Sequence, residues 1–195
     1  MEKVKFFDPY PDTVIVGDKI YDIDLSFATV VQVWDVQSSE DFTDKDKIEL
    51  QAKLFLDDPK DCPETIDKQI EFLQAVYELF PKQDNDGERF IDFHQDAAMI
   101  RSGFFRIGID LTKDRIHFFQ FLELLADLPT DTAMMRTIKL RSMPLPKRTE
   151  HNAEYIAELQ RAKAKVAIKY SEEERRRRFE RSLMKLRDTL LFGGR

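Results

Sequence analysis

Asp92, His94 and Asp96 are the residues of this chain whose types could form a metal site, because carboxylates and imidazoles are common metal ligands. Their spacing argues against that chemistry, since residues two positions apart do not share a face of a helix. Asp92 is well placed to cap a helix, and Asp96 suits the positive first turn that follows. We therefore predict no metal site. A hydrolase or metal enzyme built on these three residues is the second alternative to the function predicted below.

Cys62 is the only cysteine, and it is the one thiol that could act as a nucleophile. It lies beside Pro63, where we predict the start of a helix, and no catalytic signature surrounds it. The six glycines form neither a dinucleotide-binding G-x-G-x-x-G motif nor a P-loop. His117 and His151 lie in different segments and form no motif. We expect no catalytic residue and no cofactor, so the chain is predicted not to be an enzyme.

Four consecutive arginines at positions 175–178 are the residues that could bind nucleic acid. Three glutamates at positions 172–174 precede them at the i+3 and i+4 distances at which helical ion pairs form. Phosphate binding requires uncompensated positive charge, so the pattern favours a salt-bridged helix. A nucleic-acid-binding regulator that uses the basic C-terminal helix is the first alternative function.

The 195 residues suit one ordinary domain with an appendage, and their charges are unevenly distributed. Residues 147–195 contain 14 basic and 8 acidic residues, a balance of +6. Residues 1–146 contain the other 17 basic and 29 acidic residues, a balance of −12. An acidic body therefore precedes a basic tail. Opposite charges favour head-to-tail association of copies, so a homo-oligomer is one predicted assembly.

The apolar residues do not form a membrane span. The richest segment, residues 116–128, includes four polar residues, so it is too polar to cross a bilayer. The N-terminal residues lead into no apolar run, and a single cysteine is typical of a reducing compartment. We expect a cytoplasmic protein without disulfides.

The residue pattern predicts a mainly α fold with a short N-terminal β-hairpin. Two β-prone runs at residues 13–16 and 19–23 flank Gly17 and Asp18, as in a tight hairpin turn. Gly108 is placed to stop a helix in a left-handed conformation. Predicted helix starts lie at Asp24 or Ser26, at Thr43, at Pro63, at Asp92, and at Asp110 or Thr112.

Phenylalanine is unusually frequent, with 16 residues against a single tryptophan. Most of these side chains are expected to form the core. Phe105 and Phe119 lie off the main apolar stripes of their helices, so we predict that they are exposed and bind a partner.

Residues 143–146, Met-Pro-Leu-Pro, form a stiff extended break. We place a domain boundary there, between a body of residues 1–146 and a helical pair at residues 147–195. Apolar residues beyond it recur at coiled-coil-type spacings of 4, 3 and 4, and a narrow seam on a charged helix needs a partner. The first seam contains Tyr155, Leu159, Ala162 and Val166, and the second contains Phe179, Leu183, Leu186 and Leu190. The predicted partner-binding residues in these seams are Leu159, Val166, Leu183, Leu186 and Leu190.

Several segments together resemble a family of tailed-phage and prophage proteins known as gene product fifteen. The run Asp-Phe-His-Gln-Asp-Ala-Ala-Met-Ile at residues 92–100 is the most specific of them. Residues 117–121 look like the aromatic-rich segment of the family, and Arg-Ser-Met at residues 141–143 looks like a recurring element before its charged tail. Phe118 and Phe119 replace an expected tryptophan, and Ile107 replaces an expected tyrosine, but each remains large and apolar.

The resemblance implies a non-enzymatic tail-assembly chaperone that acts in the cytoplasm of an infected bacterium and is absent from the mature virion. Such chaperones are thought to coat the long, helical tape-measure protein and to help the tail-tube protein polymerise around it. The predicted partners are therefore the tape-measure protein and the tail-tube protein. A membrane is not expected as a partner, and nucleic acid is disfavoured.

Overall fold

The computed structural model describes residues 9–80 and 89–170, which fall into two compact units. The first unit contains residues 9–80 and 99–132, and the second contains residues 89–98 and 133–170. The elements are β1 (Thr13–Val16), β2 (Lys19–Asp22), α1 (Phe27–Ser38), α2 (Asp44–Phe55), a short 3-10 helix (Pro59–Asp61), α3 (Ile66–Leu79), α4 (Ala97–Arg106), α5 (Phe118–Ala126), α6 (Ala133–Ser142) and α7 (Ala153–Val166).

The first unit begins with the predicted hairpin, in which β1 and β2 are antiparallel. Gly17 has a φ of 60° at the first position of the two-residue turn, a conformation that glycine adopts without strain. Val14 lies opposite Tyr21, and both side chains are buried. The ring of Tyr21 lies 5.3 Å from that of Phe72, because β1 packs on α3. Helix packing therefore supports a hairpin that would be marginal alone.

Helices α1 to α3 pack in sequence order, each against the next. Ser26 caps α1, and Thr43 forms a capping box with Asp46 at the start of α2, so both predicted starts are confirmed. The start predicted at Pro63 is wrong, because α3 begins at Ile66 after the N-cap Thr65.

The core of the first unit is a set of stacked phenylalanine rings. Phe121 is fully buried on α5, and its ring lies 3.9 Å from that of Phe27 and 4.8 Å from that of Phe104. Phe104 belongs to α4 and Phe27 to α1, so one side chain joins three helices. Stacked and edge-on aromatic contacts stabilise beyond the area that they bury.

Helix α4 ends as predicted, at a left-handed glycine with a φ of 87°. The amide of Ile109 donates to the Phe104 carbonyl at 3.0 Å, and the amide of Gly108 donates to the Phe105 carbonyl at 3.1 Å. These two bonds form a Schellman motif. The helix start predicted at Asp110 or Thr112 is wrong, because α5 begins only at Phe118.

The late start of α5 has a backbone cause. The amide of Phe118 donates to the Leu25 carbonyl at 2.7 Å, and the amide of Phe27 donates to the Ile116 carbonyl at 2.9 Å. This pairing holds His117 in an extended conformation, and His117 then caps the helix that begins at Phe118. Asp110 instead stabilises a local turn, where its carboxylate accepts from the Thr112 amide.

The second unit consists of residues 89–98 with α6 and α7, and α7 packs on α6. Asp92 does not cap α4 directly as predicted. Its carboxylate accepts the amides of His94 and Gln95 at 3.1 and 2.8 Å, which closes a turn at residues 93–96 before α4. The chain passes from the second unit to the first within α4.

The mainly helical fold with an N-terminal hairpin is confirmed, and α7 provides the first helix of the predicted tail. The second helix of the predicted pair, with the seam from Phe179 to Leu190, lies outside the described residues. The boundary predicted at Pro146 falls inside the second unit, and separate folding of residues 147–195 stays a prediction. Within residues 9–80 and 89–170, no helix is both long and apolar enough to cross a bilayer.

Phe121→Ala should lower the free energy of unfolding by about 3–5 kcal/mol, because it removes a fully buried ring and leaves a cavity. Urea unfolding followed by circular dichroism measures the change. Phe105→Ala is the matched control: its ring is 71% exposed, so the loss should be about 0.5 kcal/mol or less. Equal losses for the two variants would contradict the aromatic core described here.

Candidate functional surfaces

The outer face of the hairpin presents an apolar pair to solvent. Ile15 and Ile20 are directly opposite on β1 and β2, and they are 69% and 64% exposed. Alternation along the strands directs Val14 and Tyr21 inward and these two isoleucines outward. These two isoleucines were not among the predicted partner-binding residues, although the strict alternation of the two strands identifies their face.

Phe105 is the most exposed large apolar side chain in the part of the chain that the structure describes, at 71%. Its neighbour Phe104 is fully buried against Phe121, and consecutive helical residues point about 100° apart. The predicted exposure of Phe105 is therefore observed, and its role in partner binding stays a prediction.

The other predicted partner-binding residues have different surroundings. The exposure predicted for Phe119 is wrong, because its side chain is half-buried, with the ring 5.8 Å from that of Phe80 and 5.1 Å from that of His117. Leu159 on α7 is buried, and Val166 is half-buried. Leu183, Leu186 and Leu190 lie outside the described residues. The binding role of all six stays a prediction.

A buried ion pair lies at the centre of the second unit. Arg141 on α6 and Asp96 in the turn before α4 have side chains that are 8% and 1% exposed. The two guanidinium nitrogens reach the two carboxylate oxygens at 2.5 and 2.8 Å, which is a bidentate contact. Asp96 also accepts the amide of Asp92 at 2.9 Å. A buried carboxylate needs this degree of pairing.

Arg141 uses its remaining donors on the backbone of two other segments. Its Nε donates to the Val166 carbonyl at 2.6 Å, and Nη1 donates to the Phe90 carbonyl at 2.8 Å. Lys163 on α7 donates in turn to the Arg141 carbonyl at 2.7 Å. One side chain therefore joins the 89–98 segment, α6 and the end of α7. Sequence reasoning missed this contact, although both residues lie in segments that carry the family resemblance.

The triad Asp92, His94 and Asp96 is not arranged as a metal site. Asp92 and Asp96 point their carboxylates at backbone amides and at Arg141. In the residues that the structure describes, no group of three or more His, Cys, Asp or Glu side chains could hold a metal ion. The absence of a metal in the functional protein stays a prediction.

Cys62 lines an open cleft of about 430 Å³ beside α2, the 3-10 helix and α3. Burial raises the pKa of its thiol, which works against the thiolate that a nucleophile requires. The nearest polar partner is the Gln69 amide, whose Nε2 lies 3.7 Å from Sγ and donates to the Pro63 carbonyl at 2.8 Å. The residues that line this cleft include no histidine, which is the usual partner of a nucleophilic cysteine.

His117 is held as a neutral imidazole at the start of α5. Its Nδ1 accepts the Phe119 amide at 3.1 Å, and its Nε2 lies 3.1 Å from the Pro11 carbonyl, so the proton belongs on Nε2. The ring stacks on Tyr10 with centroids 4.8 Å apart. Burial lowers the pKa of His117. The hydrogen bonds and the burial of His117 therefore both indicate a structural role, as the N-cap of α5.

Comparison with known proteins gives one match. The model of the family described as "Bacteriophage Gp15 protein" matches residues 6–168, which is most of the chain. No curated protein and no solved structure shows a significant match.

Arg141→Met should lower the free energy of unfolding of the second unit by about 3–5 kcal/mol, because it leaves the Asp96 carboxylate buried without its cation. Hydrogen exchange of amides in α6 and α7 measures the loss. Adding Asp96→Leu to Arg141→Met should restore much of the stability, since the uncompensated charge is then gone.

The matched control for this ion pair is Arg106→Met. Arg106 contacts Asp131 at 2.6 Å, but the two side chains are 51% and 64% exposed. An exposed pair contributes about 1 kcal/mol or less. A loss at Arg141 no larger than that at Arg106 would show that the buried pair does not organise the second unit.

Lowering the pH from about 7.5 to 5.5 should destabilise the chain through His117. Its folded pKa is depressed, so the stabilisation is fully present above the unfolded value near pH 6.5 and is lost as the pH falls toward the folded value. Melting temperatures across this range should fall less for His117→Asn, which can still cap α5, than for the parent. His151→Asn, at an exposed histidine, should follow the parent, and identical slopes for all three proteins would refute the effect.

Proposed function

The chain belongs to the bacteriophage Gp15 protein family, and on that premise we propose that it is a tail-assembly chaperone. In this proposal it binds the tape-measure protein and assists assembly of the tail tube around it. It does so in the cytoplasm of the infected bacterium, catalyses no reaction and is absent from the finished virion.

The observation that carries the proposal is the extent of the family match. Residues 6–168 include the hairpin, every described helix and both compact units. The match therefore covers the surfaces on which exposed apolar side chains lie, and not only a core motif. The proposed role in tail assembly is the role that proteins of the gene product fifteen type are thought to have.

The surface chemistry supports binding rather than catalysis. Phe105 is an exposed aromatic ring on a helix, and an amphipathic helix of a partner can cover such a side chain. Polar and charged residues flank it, among them Arg101 and Arg106. A chaperone that must later be displaced needs a weak interface, and a contact with a small buried area meets that need.

The alternative function, a nucleic-acid-binding regulator, depends on the arginines at positions 175–178. These residues lie outside the described part of the chain, so this alternative stays a prediction. Binding to duplex DNA at physiological salt, lost on Arg→Glu changes at these positions, would favour it over chaperone activity.

Co-expression with the tape-measure protein of the same phage tests the proposal. The chain should raise the soluble fraction of the tape-measure protein and co-purify with it. Phe105→Ser should weaken this complex by about tenfold, because truncating an aromatic side chain in the centre of an interface costs roughly 1.4 kcal/mol or more. Titration of the purified proteins by calorimetry measures the affinity.

Phe42→Ser is the matched control, since Phe42 is also exposed, at 40%, but lies between α1 and α2. It should bind the tape-measure protein like the parent. A tape-measure protein that is equally soluble with and without the chain would contradict the chaperone role. If the Phe105 and Phe42 variants bound the tape-measure protein with equal affinity, Phe105 would not be part of the interface.

A further inference from the structure

The two compact units carry opposite net charges within the part of the chain that the structure describes. The first unit contains 10 basic and 22 acidic residues, a balance of −12. The second unit contains 10 basic and 5 acidic residues, a balance of +5. Between two copies, like units repel each other and unlike units attract. The charges therefore favour a contact between the second unit of one copy and the first unit of another.

Leu145 is an exposed apolar side chain of the second unit with basic neighbours. It is 46% exposed and lies between two prolines, in a segment that forms neither helix nor strand. Lys147 and Arg148 follow it, and both are exposed. In the described part of the chain, neither of these two side chains forms an ion pair. We call residues 143–148 the proline segment, which contains two basic residues and no acidic residue.

Hydrogen bonds hold both ends of the proline segment against α7. The ammonium group of Lys163 donates to the Met143 carbonyl. The side-chain amide of Asn152, the N-cap of α7, donates to the Lys147 carbonyl at 2.9 Å. The two prolines fix their own φ and restrict the residues before them. The segment is therefore preorganised, and a preorganised ligand loses little conformational entropy on binding.

Phe42 on the first unit has acidic neighbours instead. It lies between α1 and α2 and is 40% exposed. Residues 40–46, which we call the acidic segment, contain four acidic residues and one lysine. Glu40 and Asp41 are exposed, and neither forms an ion pair within the residues that the structure describes. The Asp41 amide donates to Ser39 Oγ at 3.1 Å, so this segment also has a defined conformation.

We propose that the proline segment of one copy binds the acidic segment of a second copy. In this contact the Phe42 ring packs on Leu145 and its neighbouring prolines, because aromatic side chains are the usual partners of proline-rich segments. The two basic residues follow Leu145, whereas Glu40 and Asp41 precede Phe42. Two segments that run antiparallel therefore bring opposite charges together on the same side of the apolar contact.

This contact joins two different surfaces, so it is heterologous. Each copy has one proline segment and one acidic segment, so a further copy can add at either end. The contact involves few residues on each side, and a small buried area gives a weak complex. Association should therefore increase with protein concentration and decrease with salt, because salt screens exposed charges.

Sedimentation of the full chain, without any phage partner, tests the proposal. At concentrations up to about 100 µM and low salt, the average mass should rise above the 23.0 kDa of one copy. It should fall back toward 23.0 kDa in about 1 M salt, where the screening length is near 3 Å. A mass of one copy under all conditions would overturn the proposal.

Two charge-reversal variants identify the contacting surfaces. One is Lys147→Glu with Arg148→Glu, and the other is Glu40→Lys with Asp41→Lys. All four side chains are exposed and without ion pairs in the described part of the chain, so the fold should be retained. Each variant places like charges opposite each other, and each should raise the dissociation constant by about tenfold or more.

A matched control separates the local contact from the general attraction between the units. Arg161→Glu with Lys165→Glu changes the charge of the second unit by the same amount, at exposed positions on α7. It should change the dissociation constant by about twofold or less, because distant charges are screened. An equal effect of this control and of the Lys147 variant would overturn the proposal. Leu145→Ser replaces any charge variant that does not fold, and it should also weaken association.

Mixing the two charge-reversal variants is the decisive experiment. The reversed proline segment of one variant then meets the reversed acidic segment of the other, and the two unchanged segments also meet. The mixture should therefore associate like the parent, although each variant alone associates weakly. A mixture that sediments like the separate variants would overturn the proposal. No phage protein is present, so this proposal and the chaperone proposal can fail separately.

Discussion

The stacking of Phe104 on Phe121 is the interaction that the surface of the first unit depends on. Phe121 is fully buried between α1 and α4, and burying Phe104 against it sets the rotation of α4 about its axis. The next residue, Phe105, must then point to solvent. The exposed aromatic ring is therefore a consequence of the core, and a variant that loosened the core would also move the surface.

The central interaction of the second unit is an ion pair, whereas that of the first unit is the stacking of aromatic rings. Three segments meet at one guanidinium group, which satisfies a buried carboxylate and two backbone carbonyls. Apolar side chains of similar volume would pack equally well but would not select the same backbone partners. We therefore infer that Arg141 determines the geometry of the second unit more than it determines the net stability of that unit.

Local signals in the sequence were sufficient for much of this structure. The Gly17 turn, the Ser26 and Thr43 caps and the Gly108 stop each depend on residues within a few positions, so they could be predicted. The start of α5 could not, because His117 is held extended by its backbone pairing with Ser26, 91 positions earlier in the chain. The partnership of Arg141 with Asp96 spans 45 positions, and only spatial proximity reveals it.

Exposed apolar side chains on a small protein carry a risk of aggregation, and the charges around them limit that risk. On the hairpin, Asp22 lies on the same face as the two isoleucines, and Asp18 is exposed in the turn between the strands. Acidic side chains beside an apolar pair repel acidic proteins and favour basic ones. The net charge of −6 adds to the repulsion of acidic proteins and favours solubility. An apolar site can remain exposed in a crowded cell when the surrounding charge excludes the wrong ligands.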